Sequence, residues 1–238
     1  MNQTERYDAI QSAFDARYRR KKLTNLAVSA VIAVLGITSF LYGLTLESIR
    51  TIFRWMTVDG TVFTTIGSIV CIAVNLVEIA RQTEVTRRPV YFIRLSCAVA
   101  ESVIFIVVVF SQLPFFAQHL PVFDRYDSFV MHVVIPILGV SSFLLNDSPI
   151  GRLTPAELWH GTAFVSCYAA TVLILIAAGM LPSHLIPYFF LDYRQNGLGL
   201  FLVAFAFIYL WALLMARRLS EWNRRLSWLW FKDIARIK

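Results

Sequence analysis

The chain has 238 residues, of which 58% are hydrophobic and 16% are charged, and its mean hydropathy is +0.63. This apolar content is well above that of an ordinary soluble domain and indicates an integral membrane protein. The formal net charge of +7 does not indicate nucleic-acid binding, because the basic residues lie at the chain ends and between apolar runs. Anionic lipid headgroups explain that placement better, so membrane lipids are the expected partners and nucleic acid is not.

Six apolar runs follow a polar N-terminal segment. In residues 1–22 apolar side chains recur at helical spacing and predict an amphipathic helix on the membrane surface. The apolar runs are long enough to cross a hydrocarbon layer of roughly 30 Å as helices. They predict six transmembrane spans near residues 23–46, 58–80, 91–116, 128–145, 162–181 and 198–216. Residues 217–238 predict a second interfacial helix, which completes a single all-α membrane domain over residues 1–238.

Lysine and arginine placement predicts the orientation of the spans. Basic residues cluster before the first span, between the second and third spans, and after the sixth span. The alternate loops carry fewer basic residues, so the positive-inside rule places both termini in the cytoplasm. The strong charge bias favours the inner membrane of a bacterium.

Polar side chains of the second span lie on one helical face. Inside a membrane such residues are costly unless they face the interior of the bundle. They advance by three or four positions at a time and are Thr57, Thr61, Thr64, Ser68, Cys71 and Asn75. We expect most of them to pack against neighbouring helices.

The third span contains two ionisable residues, Arg94 near its inner end and Glu101 near its middle. They share one face but lie roughly 10 Å apart along the helix axis, which is too far for a direct ion pair. In an antiparallel hairpin Glu101 would lie near the Ser68 hydroxyl, where it can be protonated and hydrogen-bonded. The same residues, with Asn75, leave open a transporter or channel that has a polar path at the membrane midplane.

Thr57 and His132 are the candidate catalytic pair. Counted from the last charged residue before each span, Thr57 is three positions in and His132 is five, so their depths differ by roughly 3 Å. A neutral imidazole within hydrogen-bond reach supplies the base that a threonine hydroxyl needs to act as a nucleophile. Four charged residues are expected near the same outer end of the spans and are candidates for orienting the ring or stabilising an oxyanion. They are Arg54, Asp59, Asp127 and Asp192.

The segment before the last span, residues 182–199, mixes proline, aromatic and charged residues and predicts a loop that closes over the bundle. Its Tyr188 and Phe189, together with Thr61 and Thr64, are expected to line the path of a lipid substrate. No metal or other cofactor is expected, because the three cysteines lie singly in apolar runs without metal-ligand spacing. A non-catalytic membrane assembly subunit is a third alternative, beside the enzyme and the transporter.

Three short motifs resemble a known family. They are Arg54-Trp55-Met56-Thr57, then Met131-His132 with Ile135-Pro136-Ile137-Leu138, and Pro187-Tyr188-Phe189-Phe190-Leu191. In this order the chain resembles the six-span transmembrane threonine hydrolases of the androgen-induced protein and androgen-dependent tissue-factor-pathway-inhibitor regulator family, with its uncharacterised bacterial relatives. The resemblance implies intramembrane hydrolysis of fatty-acyl esters of lipids, with Thr57 as the nucleophile and His132 as its partner. Residues 124–129 and the residue types of the last motif depart from the family pattern, so the resemblance does not specify which lipid ester is the substrate.

Overall fold

The computed structural model describes residues 3–81, 87–109, 125–186 and 188–229, and these residues form an all-α fold. The segments Tyr126–Phe129 and Ile135–Asn146, with the π-helical turn Val130–Val134 between them, form one helix. Two short 3-10 turns, Ser183–Leu185 and Phe189–Leu191, precede the short helix Tyr193–Asn196. The helices are α1 Gln3–Leu46, α2 Ile49–Ile52, α3 Met56–Arg81, α4 Arg87–Val107, α5 Tyr126–Asn146, α6 Pro155–Gly161, α7 Ala163–Ala177, α8 Tyr193–Asn196 and α9 Leu198–Leu229.

Five of the described helices are long and apolar enough to cross a membrane: α1, α3, α4, α5 and α9. The predicted fifth span, residues 162–181, is different. Helix α7 has 15 residues and is about 22 Å long, which is too short to cross a hydrocarbon layer of roughly 30 Å alone. It meets the length only together with α6, from which it is bent by 65°. The end of the predicted third span, beyond residue 109, lies outside the described residues.

Large apolar side chains cover the outward faces of these helices. Val34 in α1, Ile174 in α7 and Val203 and Leu210 in α9 are each more than half exposed. A protein in water seldom exposes so many large apolar side chains, whereas lipid tails solvate them. The outward face therefore fits a protein that crosses the membrane several times.

The two chain ends do not form separate surface helices within the described residues. Helix α1 runs without a break from Gln3 to Leu46, so the predicted N-terminal helix and the predicted first span are one continuous helix. Lys21 is only 2% exposed, because its ammonium group donates to the carbonyl of Asp147 and to the hydroxyl of Ser227. Helix α9 likewise continues to Leu229, and residues 230–238 lie outside the described residues.

Helix α4 lies at the centre of the bundle. All residues from Arg94 to Glu101 are buried, which is expected only of a helix with neighbours on every side. Its Leu95, Val99 and Val103 belong to one apolar core with Phe143 of α5 and with side chains of α7 and α9.

Small residues let α1, α3 and α4 approach each other closely. A Cβ atom at Gly36 of α1 would collide with the side chain of Thr65 in α3, and one at Gly67 of α3 would lie 2.6 Å from the Cys97 sulfur in α4. This packing turns one face of α3 inward. The members of the predicted polar face, Thr57, Thr61, Thr64, Ser68, Cys71 and Asn75, are all buried, so its inward orientation is confirmed.

Asp147, directly after α5, is the centre of a buried polar network. Its carboxylate accepts hydrogen bonds from Arg94 Nε at 3.1 Å and from Asn25 Nδ2 at 3.2 Å. Its carbonyl accepts from Lys21 Nζ at 3.2 Å and from Asn223 Nδ2 at 2.9 Å. These contacts join α1, α4 and α9 to the end of α5. Removing one member of such a network is strongly destabilising, because the charged or amide group that it bound stays buried without a hydrogen-bond partner.

We expect Asp147→Asn to destabilise the protein by about 3–5 kcal/mol, because the buried Arg94 guanidinium loses its counter-ion while the side chain keeps its shape. Thermal unfolding followed by tryptophan fluorescence in detergent measures the change. Arg88→Gln is the control, since Arg88 contacts Glu157 at 3.7 Å from an exposed position, where an ion pair contributes little. Equal unfolding temperatures for the two variants would contradict a structural role for the Asp147 network.

Candidate active site

Thr57 is the second residue of α3, and the turn before it is firmly held. The Asp59 amide donates to the Trp55 carbonyl at 3.1 Å, which starts the helical hydrogen bonding. The Tyr168 hydroxyl of α7 donates to the Arg54 carbonyl at 2.8 Å. The Arg54 guanidinium lies over the Trp55 ring, 4.8 Å from its centre. These contacts fix the start of α3 and bury Thr57 to 5% exposure.

His132 lies in the π-helical turn of α5, and Pro136 explains why the helix widens there. Proline has no amide hydrogen, and its ring collides with the carbonyl four residues earlier, which is that of His132. A turn with one extra residue relieves this conflict, and such π-helical turns often carry functional side chains. The local sequence thus gives His132 an orientation that a regular helix would not give it.

The structure brings Thr57 and His132 into hydrogen-bonding contact. Thr57 Oγ1 lies 3.1 Å from His132 Nε2, although 75 residues separate them in the chain. On the other side of the ring, His132 Nδ1 lies 2.7 Å from the Ser128 carbonyl oxygen. A carbonyl only accepts, so we assign the ring hydrogen to Nδ1. In the neutral ring Nε2 then carries a lone pair and accepts the hydroxyl hydrogen of Thr57.

The predicted orienting carboxylates have other partners. Asp127 accepts two hydrogen bonds from Arg125, at 3.1 and 2.6 Å. Asp192 caps the short helix α8 by accepting from two backbone amides. The Ser128 carbonyl orients the ring instead, because Ser128 lies one helical turn before His132 and its carbonyl points along the axis toward that side chain. No described hydrogen bond joins Asp127 or Asp192 to the ring, and Asp127 interacts with it only through its charge. An orienting role for these carboxylates stays a prediction.

Arg54 and Asp59 lie on either side of Thr57 in the chain. The Nε atom of Arg54 is buried and has no hydrogen-bond partner among the described residues. Asp59 is partly buried in the first turn of α3 and interacts electrostatically with Tyr168 and Tyr188. The Arg54 Nε hydrogen is thus uncommitted among the described residues, and no described contact joins Asp59 to the His132 ring.

Tyr188, in the loop before α8, covers the pair. Its side chain interacts with Thr57 and packs edge to face on Trp55, with ring centres 5.9 Å apart. Burial raises the pKa of Tyr188 to about 12, so its hydroxyl keeps its hydrogen at neutral pH and can donate it. Tyr188 therefore adds a second potential donor next to the Thr57 oxygen.

An apolar crevice extends from this site along the bundle. Met56, which precedes Thr57, and Tyr188 line it, and side chains of α4, α7 and α9 such as Val107 and Ile208 form its walls. Thr57 and His132 themselves are not among its lining residues. Its cavity volume is about 40 Å³, so it is a narrow gap between the helices. A crevice this narrow and apolar suits a hydrocarbon chain better than water.

The predicted substrate-lining residues separate into two groups. Tyr188 lines the crevice, as the sequence predicted. Thr61 and Thr64 do not, because they lie fully buried between helices, and Phe189 is 45% exposed and turned away from it. The walls come mainly from α7 and α9, whose uniformly apolar sequences give no periodic signal that marks the lining positions.

The remaining predicted polar residues lie away from this site. Arg94 and Asn75 are at the opposite end, where Arg94 binds Asp147 and Asn75 donates to the Cys71 sulfur at 3.3 Å. Glu101 is fully buried and lies beside Gly139 and Thr64. Neither carboxyl oxygen of Glu101 nor the Ser68 hydroxyl has a hydrogen-bond partner among the described residues. Among all described residues, no cluster of three or more acidic, cysteine or histidine side chains is placed to hold a metal ion.

Comparison with known proteins identifies no relative: no family model, curated protein or solved structure matches this chain. The family resemblance therefore stays a prediction from three short motifs. Two of these motifs meet in space through Thr57 and His132, and the third contributes Tyr188 beside them. Pro187 of that third motif lies outside the described residues.

Nitrogen NMR of histidine-labelled protein tests the assigned ring state. We expect His132 to be neutral with its hydrogen on Nδ1, because the Ser128 carbonyl can only accept. Thr57→Val keeps the shape but removes the hydroxyl, so it should shift the Nε2 signal and leave Nδ1 protonated. Thr61→Val is the matched control one turn further along the same face and should change neither signal. A hydrogen found on Nε2 in the parent protein would contradict the assignment.

Proposed function

We propose that this protein is an intramembrane hydrolase of fatty-acyl esters, with Thr57 as the nucleophile and His132 as the general base. The observation that carries the proposal is the 3.1 Å contact between Thr57 Oγ1 and His132 Nε2, with the ring oriented by the Ser128 carbonyl. An alcohol, a base and a group that orients the base are the parts required for nucleophilic acyl transfer. The apolar crevice lined by Met56 and Tyr188 supplies a place for the acyl chain.

The first half of the reaction acylates the protein. Thr57 Oγ1 attacks the ester carbonyl carbon while its hydrogen passes to His132 Nε2. The tetrahedral intermediate then collapses: the bond to the alcohol oxygen breaks, and His132 returns the hydrogen to that oxygen. The products of this half are a free alcohol and an acyl ester on Thr57.

The second half restores the threonine. A water molecule takes the place of the departed alcohol, gives a hydrogen to His132 Nε2 and attacks the acyl carbon. The bond to Thr57 Oγ1 breaks as that oxygen regains the hydrogen, and the fatty acid leaves. One water is consumed for each ester, and the balance of the reaction needs no oxidant, reductant or cofactor.

Three groups are suited to stabilise the negative oxygen of the intermediates. The Arg54 Nε hydrogen has no hydrogen-bond acceptor among the described residues, and the Tyr188 hydroxyl interacts with Thr57 at the start of α3. The first amide groups of α3 add a third donor, because helix-starting amides have no acceptor within their own helix. Preorganised donors of this kind usually contribute the largest share of acyl-transfer catalysis.

The number and orientation of the spans in this proposal come from the sequence. The lysine and arginine bias supports six spans with both termini in the cytoplasm of a bacterial cell, counting α6 and α7 as one bent span. The Thr57 end of the bundle then faces the outer leaflet. A lipid ester would enter sideways from that leaflet, between α7 and α9.

Substitution of the pair tests the proposed chemistry. We expect Thr57→Ala to reduce hydrolysis of a long-chain ester to the background rate, and His132→Gln to reduce it about 10²–10⁴-fold, because it removes the base. Thr57→Ser keeps a hydroxyl at the same place and should retain activity. Initial rates of purified protein in lipid nanodiscs measure these effects.

Thr61→Ala is the matched control, since Thr61 is buried on the same face of α3 and lies away from His132. It should hydrolyse the ester at the parent rate. A Thr57→Ala protein that is folded and fully active would refute Thr57 as the nucleophile.

Filling the crevice tests the path of the acyl chain. Ala169 lines the crevice, whereas its neighbour Ala170 is exposed on the outer face of α7. We expect Ala169→Trp to slow hydrolysis of long-chain esters at least about tenfold and to spare acetyl esters, because a loss of 1.4 kcal/mol in chain binding corresponds to tenfold. Ala170→Trp should change neither rate. Equal loss for long and short esters in Ala169→Trp would contradict this path.

A further inference from the structure

A second cavity lies at the end of the bundle opposite Thr57. It is a groove of about 610 Å³ between α1, α5 and α9, open to the surroundings. Arg17 and Arg20 of α1 form its rim, and Val28, Leu138 and Leu226 are among the apolar side chains of its walls. Its volume falls within the range of roughly 300–1,000 Å³ that is usual for small-molecule sites.

The lining changes from basic to apolar along α1. From Arg17 to Val28 is eleven residues, or roughly 16 Å of helix. Arg17, Arg20 and Thr24 come first, and Val28 follows one turn deeper, opposite Leu138 of α5. Such a gradient matches an amphiphile with an anionic headgroup at the rim and a hydrocarbon chain along the walls.

The charge at the rim selects the headgroup. The exposed Arg20 guanidinium provides donors in the planar arrangement that phosphate oxygens accept best. Arg17, which also interacts within the protein, adds a second positive charge on the same helical face. The lysine and arginine bias predicts that this end of the bundle faces the cytoplasmic leaflet, where anionic phospholipids are the abundant phosphate carriers. A zwitterionic lipid brings a second, positive group that the two arginines would repel.

We propose that this groove binds one anionic phospholipid, with its phosphate at Arg17 and Arg20 and an acyl chain along Val28 and Leu138. The bound lipid fills the space between α1 and α9 and contacts Ser141 and Asn146 of α5 on the way. This site shares no residue with the Thr57 site and is independent of the proposed hydrolysis. Its lipid is a ligand that holds helices together and is not a substrate.

The test measures lipid-dependent stability of the purified full chain. Phosphatidylglycerol, phosphatidylcholine with the same acyl chains, and inorganic phosphate are added to delipidated protein in detergent. We expect phosphatidylglycerol alone to raise the unfolding temperature and to appear as one bound molecule in native mass spectrometry. Equal effects of the two lipids, or an equal effect of inorganic phosphate, would overturn the proposal in favour of an unselective groove or a simple anion site.

Charge variants identify the headgroup contact. Arg20→Gln should weaken the apparent affinity for phosphatidylglycerol about fivefold, and Arg17→Gln with Arg20→Gln should remove its advantage over phosphatidylcholine. Arg19→Gln is the matched control, since Arg19 is exposed beside them but does not line the groove. An affinity equally reduced by Arg19→Gln and Arg20→Gln would overturn the site.

A groove-filling variant tests the chain contact without changing charge. Ser141→Trp places a large ring in the groove and should abolish the bound lipid in native mass spectrometry. Ile137→Trp is its control on the same helix, because Ile137 is 52% exposed on the outer face. Retention of phosphatidylglycerol by a folded Ser141→Trp protein would overturn the proposed position of the acyl chain.

Discussion

The hydrogen bond between Thr57 and His132 is the contact on which the functional account depends. It joins the start of α3 to the π-helical turn of α5, and it exists because the Ser128 carbonyl holds the far side of the imidazole. A threonine hydroxyl alone is a weak nucleophile, and an imidazole free to rotate would present either nitrogen to it. Buried surroundings strengthen each of these bonds, since water does not compete for the donors.

The two ends of the bundle have different constructions. At the end that contains Asp147, charged and amide side chains of α1, α4 and α9 bind one another, so three long helices are tied together. At the Thr57 end, α7 stops after 15 residues and a loop with Tyr188 covers the gap. The Arg194 guanidinium of α8 donates to the Ile176 carbonyl and so anchors that loop to the end of α7. The apolar opening at this end fits the proposed entry of a lipid from the side.

The positions of several spans and the similar depths of Thr57 and His132 could be predicted from the sequence. Charged residues mark where a span begins, and a helix rises by a fixed distance per residue. The second and fourth spans, predicted at 58–80 and 128–145, are observed at Met56–Arg81 and Tyr126–Asn146. That agreement is why counting from the last charge put Thr57 and His132 at similar depths. The group that orients His132 could not be predicted, because a backbone carbonyl exists at every residue and gives no signal of its own. The burial of Lys21 could not be predicted either, because its partners, Asp147 and Ser227, are 126 and 206 residues away in the chain.

The most direct test of the account is to trap the acyl-enzyme and locate it. A fluorophosphonate or a slowly released carbamate that carries a long alkyl chain would be incubated with the protein in nanodiscs, and the modified peptide would be sequenced by mass spectrometry. The account predicts one adduct, on the Thr57 oxygen, that does not form in His132→Gln protein. An adduct on any other side chain, or full ester hydrolysis with Thr57 never modified, would contradict it.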